Sequence, residues 1–188
     1  FVALKGPRSN GHQYIQQAFD KGLRLFLVQE PITVQLEGTS VVMVNDTWKA
    51  LHQLATYHRQ QFRIPVIGIT GSNGKTTVKE MLGRILSSQA ATLVTPGNFN
   101  NDIGVPLTLL RLSAGDQYGV FELGANHKGE IDYTSALVQP QVALVNNIGS
   151  AHLEGFGSVE GIAEAKSEIF NHLKQDGVAV INADDAFA

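Results

Sequence analysis

The chain has 188 residues, of which 43% are hydrophobic and 16% are charged, so it has enough apolar side chains to form a substantial core. This composition argues against an intrinsically disordered protein. The formal net charge of -3 argues against sequence-independent binding of nucleic acid, which requires a net basic surface. Because there is no cysteine, disulfides and cysteine-ligated metals are excluded. No apolar run approaches the ~20 residues that span a bilayer, so we expect a soluble protein that does not bind membranes.

The first 63 residues have the pattern of a small α/β domain. Short apolar runs predict strands, and apolar residues at helical spacing predict helices. The strands are expected at residues 1–4, 23–29 and 40–46, and the helices at 11–22 and 46–62. Asp46 or Thr47 can cap the second helix. Residues 62–65 are the best candidate for a domain boundary.

Residues 64–188 alternate short apolar runs with helical segments. Strands are expected at 66–70, 91–95, 118–123, 142–147 and 178–182. This alternation is typical of a mainly parallel sheet with helices on both faces. The helix after the first of these strands has five apolar residues at helical spacing, which predict its buried face: Val78, Met81, Leu82, Ile85 and Leu86.

The segment "VIGITGSNGKTT" at residues 66–77 joins the first of these strands to that helix. Glycines let backbone amides turn toward an anion, and a helix N-terminus adds partial positive charge. In this pattern the lysine reaches the terminal phosphates and the following hydroxyl can ligate Mg²⁺. The loop departs from the general P-loop pattern because Ile69 stands where the first glycine is expected, and a glycine-rich turn without a ligand is the alternative. The candidate ATP-binding residues are Gly71, Ser72, Asn73, Gly74, Lys75, Thr76 and Thr77.

Two residues at the ends of other strands are candidate metal ligands. Glu122 ends the segment "YGVFE", and His152 follows "VALVNN". Since the carboxyl ends of parallel strands share one edge of a sheet, both are expected near the glycine-rich loop. The alternative for each is an ordinary solvated side chain.

Lys166 lies within the apolar stripe of the helical segment "VEGIAEAKSEIFNHL". A lysine there can extend its ammonium to water along the apolar surface. The alternative is a buried amine that is chemically useful, because burial disfavours its charged form.

A polar segment, "TPGNFNNDIG", follows the second strand of the sheet. Asn98, Asn101 and Asp102 can simply form a polar turn. The asparagine amides can also orient a polar substrate, so Asn98 and Asn101 are candidate substrate-binding residues.

Together these motifs resemble the Mur ligase family. The resemblance rests on "GITGSNGKTTVKEML", "TPGNFNNDIGVPLTLLRL", "FELGANHKGEI", "ALVNNIGSAHLEGFGS" and "GIAEAKSEIF", and "FVALKG" and "NGHQYIQQAFDKG" extend it toward the N-terminus. It implies an ATP-dependent ligase that converts a carboxylate into an acyl phosphate, which an amine then attacks. Within the family the pattern is closest to the members that join D-alanyl-D-alanine to UDP-MurNAc-tripeptide in bacterial peptidoglycan synthesis.

The resemblance also implies roles for individual residues. Lys75 and the loop amides would hold the ATP phosphates, and Thr76 and Glu122 would bind one Mg²⁺. His152 and Lys166 would belong to a second Mg²⁺ site, in which the family's matching lysine is carbamylated. Lys75, His152 and Lys166 are therefore the candidate catalytic residues.

The resemblance predicts an incomplete N-terminal domain that binds the UDP substrate (1–63), followed by a central ATP-binding domain (64–188) that is truncated at its C-terminal end. The family's C-terminal domain is not found in the sequence, so we expect that the chain does not ligate on its own. The resemblance also implies a cytoplasmic bacterial protein, and we expect a monomer. Two alternatives stay open. One is another ligase of the superfamily, such as an amino-acid-adding Mur ligase or one resembling folylpolyglutamate synthase. The other is a non-catalytic nucleotide-binding fragment.

Overall fold

The computed structural model describes residues 1–6, 9–33, 36–151 and 153–188. Within them the chain divides into two compact units, Phe1–Leu54 and Ala55–Ala188. No helix in these described ranges is both long and apolar enough to cross a membrane.

The first unit is built around a pair of parallel strands, β1 (Leu25–Val28) and β2 (Ser40–Met43). A 3₁₀ turn at Gly11–Tyr14 leads into helix α1 (Ile15–Asp20), which precedes β1. The small core consists of Ala3, Ile15, Ala18, Phe26 and Val28. The strand expected at residues 1–4 is reduced to a bridge between Val2 and Leu27.

Helix α2 (Thr47–Gln60) contains the division between the two units. Asp46 caps its start by accepting hydrogen bonds from the amides of Trp48 and Lys49. Near its end, Arg59 is 3% exposed, and its Nε donates to the carbonyl of Val138 over 2.9 Å. The last turns of α2 therefore belong to the second unit, and the division falls nine residues before the boundary expected at 63/64.

The second unit is an α/β structure with a parallel sheet. In its described residues five strands pair in the order β4-β5-β3-β6-β7. They are β3 (Val66–Thr70), β4 (Thr92–Val94), β5 (Tyr118–Glu122), β6 (Val142–Val145) and β7 (Val178–Ile181). The helices that flank the sheet are α3 (Lys75–Ser87), α4 (Gly104–Leu109), α5 (Glu130–Val138), α6 (Leu153–Phe156) and α7 (Val159–Ser167). The α/β class and the parallel sheet predicted from the alternating pattern are confirmed.

The strand register determines which residues meet at the carboxyl edge of the sheet. Ile69 pairs with Glu122 on β5, and Thr70 pairs with Val145 on β6. The central strands therefore end at nearly the same level. Consequently the loop after β3, the last residue of β5 and the loop after β6 share one edge, where ligands bind in open α/β sheets.

The buried face of α3 differs in part from the sequence prediction. Met81 and Ile85 are each 61% exposed, whereas Lys79 and Gly83 are the buried positions of the helix. A Cβ at Gly83 would lie 2.8 Å from a methyl group of Val94, so glycine permits α3 to approach β4 closely. The prediction for α3 holds in part: Val78, Leu82 and Leu86 are half-buried on the side of Lys79 and Gly83, whereas Met81 and Ile85 are exposed.

Candidate active site

The loop between β3 and α3 is held in a tight curve by the segment that follows β6. Two of its glycines, Gly71 (φ 150°) and Gly74 (φ 74°), adopt positive φ angles. The amides of Ser72 and Asn73 donate to the backbone and side-chain oxygens of Asn147, each over 2.9 Å. These two amides are engaged within the protein, so they shape the loop.

The amides at the start of α3 are placed differently. The first amides of any helix have no acceptor within the helix, and Lys75, Thr76 and Thr77 are the first three residues of α3. This end of a 13-residue helix also carries partial positive charge. The start of α3 therefore presents donors to an anion at the carboxyl edge of the sheet.

Gly74 is required at this bend, and its replacement by Ala is expected to damage the loop. A Cβ there would lie 2.8 Å from Nδ2 of Asn146, which donates to the carbonyl of Asn73, and φ is +74°. We expect Gly74→Ala to lower the free energy of unfolding by about 1–3 kcal/mol. Chemical denaturation measures the change. The control is Gly115→Ala, where the nearest atom to a new Cβ is the Ser113 hydroxyl at 3.8 Å, and a larger loss there than at Gly74 would contradict the expectation.

Lys75 lies over the loop that precedes it. Its Nζ donates to the carbonyl of Gly71 over 2.7 Å. Burial lowers the pKa of the Lys75 ammonium, and the negative charge of Glu122 opposes that shift. The Lys75 ammonium therefore lies within electrostatic reach of the carboxylate at the end of β5.

Glu122 is a buried carboxylate, 1% exposed, with both oxygens hydrogen-bonded. Its Oε2 accepts from the hydroxyl of Thr76 over 2.9 Å, and its Oε1 accepts from the side-chain amide of Asn100 over 2.7 Å. The structure thus brings together Thr76 and Glu122, the two residues for which the family resemblance implied a shared Mg²⁺. Asn100 was missed, because its contact with Glu122 spans 22 residues and leaves no local signal.

These oxygens suit a magnesium ion. Mg²⁺ takes oxygen ligands and is commonly held by one or two protein groups together with water and substrate phosphates. A buried carboxylate beside a hydroxyl, next to the amides at the start of α3, provides that set. No group of three or more His, Cys, Asp or Glu side chains that could hold a metal occurs within the described residues. The site fits a metal that binds together with an anionic ligand.

Lys79 is a second functional candidate that sequence reasoning missed. Its side chain is fully buried, and its Nζ donates to the carbonyl of Gly97 over 2.8 Å. It lies 4.0 Å from Oε2 of Glu122. The available signal was its spacing of four residues from Lys75, which places both side chains on one helix face.

Lys166 is 2% exposed on α7, and its Nζ lies 5.8 Å from the ring centre of Phe156. Burial, with a further contribution from the positive charge of Lys75, lowers its pKa to about 8. The amine is therefore enclosed, which favours the buried amine over an ammonium that extends to water, the two interpretations that the sequence left open. His152, the residue expected beside it, lies outside the described residues.

Asn98 and Asn101 lie in the segment between β4 and α4. They line an open groove of about 320 Å³ together with Phe99, Ile103 and Leu107. Asn101 also accepts a hydrogen bond from the amide of Gly104 over 2.8 Å, so its side chain holds the start of α4. Both asparagines face an accessible groove, and their part in substrate binding stays a prediction.

Comparison with known proteins agrees with this geometry. Residues 69–188 match the family model of the Mur ligase middle domain. The chain belongs to the Mur ligase family. Over 185 residues it is 51% identical to UDP-N-acetylmuramoyl-tripeptide--D-alanyl-D-alanine ligase of Escherichia coli K12, an alignment that covers 98% of this chain and 40% of that protein.

Solved structures of Mur ligases superpose closely on the chain. A crystal structure of MurF from Acinetobacter baumannii matches with a TM-score of 0.93 and 51% identity, covering all of this chain and 41% of that one. MurF from Thermotoga maritima in complex with ADP matches with a TM-score of 0.87 and 38% identity, covering 98% and 42%. The chain spans about two fifths of the length of these Mur ligases.

Proposed function

We propose that this chain is the nucleotide-binding part of an ATP-dependent ligase that joins D-alanyl-D-alanine to UDP-MurNAc-tripeptide. The observation that carries the proposal is the Thr76–Glu122 contact, 2.9 Å, beside Lys75 at the start of α3. A phosphate-binding loop next to a metal-binding carboxylate is the arrangement that phosphoryl transfer requires. The name of the Escherichia coli relative supports the choice of substrates.

The residues of the loop would bind and orient ATP. The amides of Lys75, Thr76 and Thr77 donate to phosphate oxygens, and the Lys75 ammonium turns from the Gly71 carbonyl toward the terminal phosphate. Ser72 and Asn73 hold the curve of the loop through Asn147.

Glu122 and Thr76 would hold one Mg²⁺. When bound, the ion would reduce the repulsion between the substrate carboxylate and the γ-phosphate, two anions that must come into contact for phosphoryl transfer. In the overall reaction the carboxylate displaces ADP to give an acyl phosphate, and the amine of the dipeptide then displaces phosphate to form the amide. Asn100 would keep the Glu122 carboxylate oriented for metal binding, since its side-chain amide donates a hydrogen bond to Oε1.

Lys166 and His152 would contribute to a second Mg²⁺ site. A buried amine with a pKa of about 8 is neutral in roughly one tenth of the molecules at pH 7. The neutral nitrogen attacks CO₂, forming an N–C bond; one carbonyl electron pair moves to oxygen, and the nitrogen loses a proton to water. The product is a carbamate anion, which would supply oxygen ligands where the unmodified lysine has none.

The remaining assignments belong to the same proposal. Residues 1–63 would bind the UDP portion of the substrate, and Asn98 and Asn101 would contact the substrate in their groove. The protein would be a cytoplasmic bacterial monomer, with no nucleic-acid or membrane partner.

Assay of the whole protein tests the proposal. With ATP, Mg²⁺ and UDP-MurNAc-tripeptide, we expect phosphate release to depend on D-alanyl-D-alanine. Glu122→Gln is expected to lower kcat/KM on the order of 100-fold, because the carboxylate charge is lost while the shape is kept. The control Asp176→Asn, at an exposed carboxylate outside residues 1–63, should leave it unchanged. Phosphate release driven by a single amino acid, and not by the dipeptide, would identify another ligase of the superfamily; no release with any amine would favour a non-catalytic nucleotide-binding protein.

A further inference from the structure

The surroundings of Lys79 and Glu122 show an arrangement of charge that phosphate binding does not explain. A fully buried lysine is costly unless a partner compensates its charge. Lys79 has two carboxylates within reach: Oε1 of Glu80 at 3.0 Å and Oε2 of Glu122 at 4.0 Å. Glu80 is a surface residue, with 55% of its side chain exposed, whereas the Glu122 side chain is 2% exposed. Solvent therefore screens the first pair much more than the second.

The hydrogen bonds to Glu122 do not neutralise it. The Thr76 hydroxyl and the Asn100 amide are uncharged donors. The positive charge near the Glu122 carboxylate comes from Lys79 and from Lys75, whose ammonium is electrostatically coupled to it. Lys166 is in turn coupled to Lys75. Lys79 and Lys75 thus place two positive charges near a single buried carboxylate, so its charge is compensated before any nucleotide enters.

Lys79 also fixes the segment that supplies Asn100. Its Nζ donates to the carbonyl of Gly97, and Asn100 lies three residues further along, with its own carbonyl accepting from the amide of Gly124 over 2.8 Å. One ammonium therefore joins α3 to the loop after β4 and faces the carboxylate between them. Lys79 lies one turn beyond Lys75 on α3, fully buried and 4.0 Å from Oε2 of Glu122, where it is placed to compensate charge rather than to reach phosphate.

We propose that Lys79 is a positioning residue that compensates the charge of Glu122, so that a divalent cation binds at Thr76 and Glu122 together with nucleotide phosphates rather than alone. A bare cation meets the field of the surrounding lysines, which opposes its approach. Nucleotide phosphates reverse that field and supply further ligands. This inference rests on the proposed nucleotide-binding function and adds an order of binding to it.

Mn²⁺ binding, followed by the electron paramagnetic resonance signal of the free ion, tests the inference with and without ADP. In the wild type, ADP should increase Mn²⁺ affinity by at least about tenfold. Lys79→Gln retains a donor for the Gly97 carbonyl but removes the charge. It should bind Mn²⁺ without ADP at least about tenfold more tightly than the wild type. Lys79→Arg should behave as the wild type, and Lys49→Met is the exposed control.

Glu80→Gln provides a second test that does not alter a buried position. Without Glu80, the Lys79 charge is balanced by Glu122 alone, so Mn²⁺ binding without ADP should become weaker than in the wild type. A structural defect would weaken metal binding in every variant, whereas the proposal requires opposite changes in Lys79→Gln and Glu80→Gln. If Lys79→Gln does not fold, the wild type and Glu80→Gln still decide.

The outcomes separate the two proposals. If ADP promotes Mn²⁺ binding but neither variant changes the affinity for Mn²⁺ alone, the role of Lys79 is overturned and nucleotide binding stands. If the wild type binds Mn²⁺ alone as tightly as with ADP, the order of binding is overturned as well. If ADP does not bind, both proposals fail.

Discussion

Lys75→Met is expected to remove about half or more of the stabilisation of the chain by ADP and Mg²⁺. At a nucleotide concentration one hundred times Kd, a ligand that binds only the folded state adds about 2.7 kcal/mol, which raises the melting temperature by about 5–10 °C in a chain of this size. Removing one charge-assisted contact to phosphate should weaken binding by roughly tenfold to a hundredfold. Differential scanning fluorimetry with and without Mg²⁺ and ADP measures the effect.

The variant is informative because Lys75 is only half-buried and its present partner is the Gly71 carbonyl. Methionine keeps the apolar stem, so the folded chain without ligand should melt within a few degrees of the wild type. Lys49→Met, at an exposed lysine of α2, is the matched control and should retain the full shift with ADP. An unchanged shift in Lys75→Met would show that the loop after β3 does not hold the phosphates.

Lys166→Met is expected to stabilise the chain at neutral pH and to lose that advantage in alkaline solution. The folded-state pKa of Lys166 is about 8, below the 10.5 of an ordinary lysine. Below pH 8 the wild type bears the whole cost of burying the charged amine, on the order of 3 kcal/mol. Between pH 8 and 10.5 the unfolded chain binds more protons, so the stability of the wild type rises with pH and the difference shrinks.

Urea denaturation in buffers free of CO₂, at several pH values from 6 to 11, measures this difference while the amine is unmodified. Lys174→Met, at an exposed lysine of the same unit, should change the free energy of unfolding by less than about 0.5 kcal/mol. A difference between Lys166→Met and wild type that stays constant across this range would contradict the burial of the charge.

The features that could be predicted from sequence are those with a local signal. The five strands of the sheet are short apolar runs, and β3 and β5 are almost completely buried, as is typical of parallel sheets covered by helices, whereas the edge strand β7 is exposed. The loop before α3 follows from glycines at fixed spacing beside a strand. The position of Lys166 between Ile162 and Ile169 singled out this lysine but left open whether its ammonium reaches water, and the structure shows it buried, as both isoleucines are.

The features that were missed depend on pairing across the fold. Asn100 holds Glu122 from a separate loop, which neighbouring residues do not reveal. On α3 the apolar stripe did not predict the two most buried positions, because Gly83 allows β4 to approach and Lys79 finds its partners at Gly97 and Glu122. A buried lysine contradicts the rule that apolar residues face the core, and such exceptions are concentrated at functional sites.

A crystal structure of the chain with Mg²⁺ and ADP would show whether the loop after β3 and the end of β5 form one nucleotide and metal site. We expect the β-phosphate on the amides of Lys75, Thr76 and Thr77, with the metal in contact with the Thr76 hydroxyl and the Glu122 carboxylate. The Lys75 ammonium should have left the Gly71 carbonyl for a phosphate oxygen. Density for ADP elsewhere on the chain, or a metal ion that touches neither Thr76 nor Glu122, would contradict it.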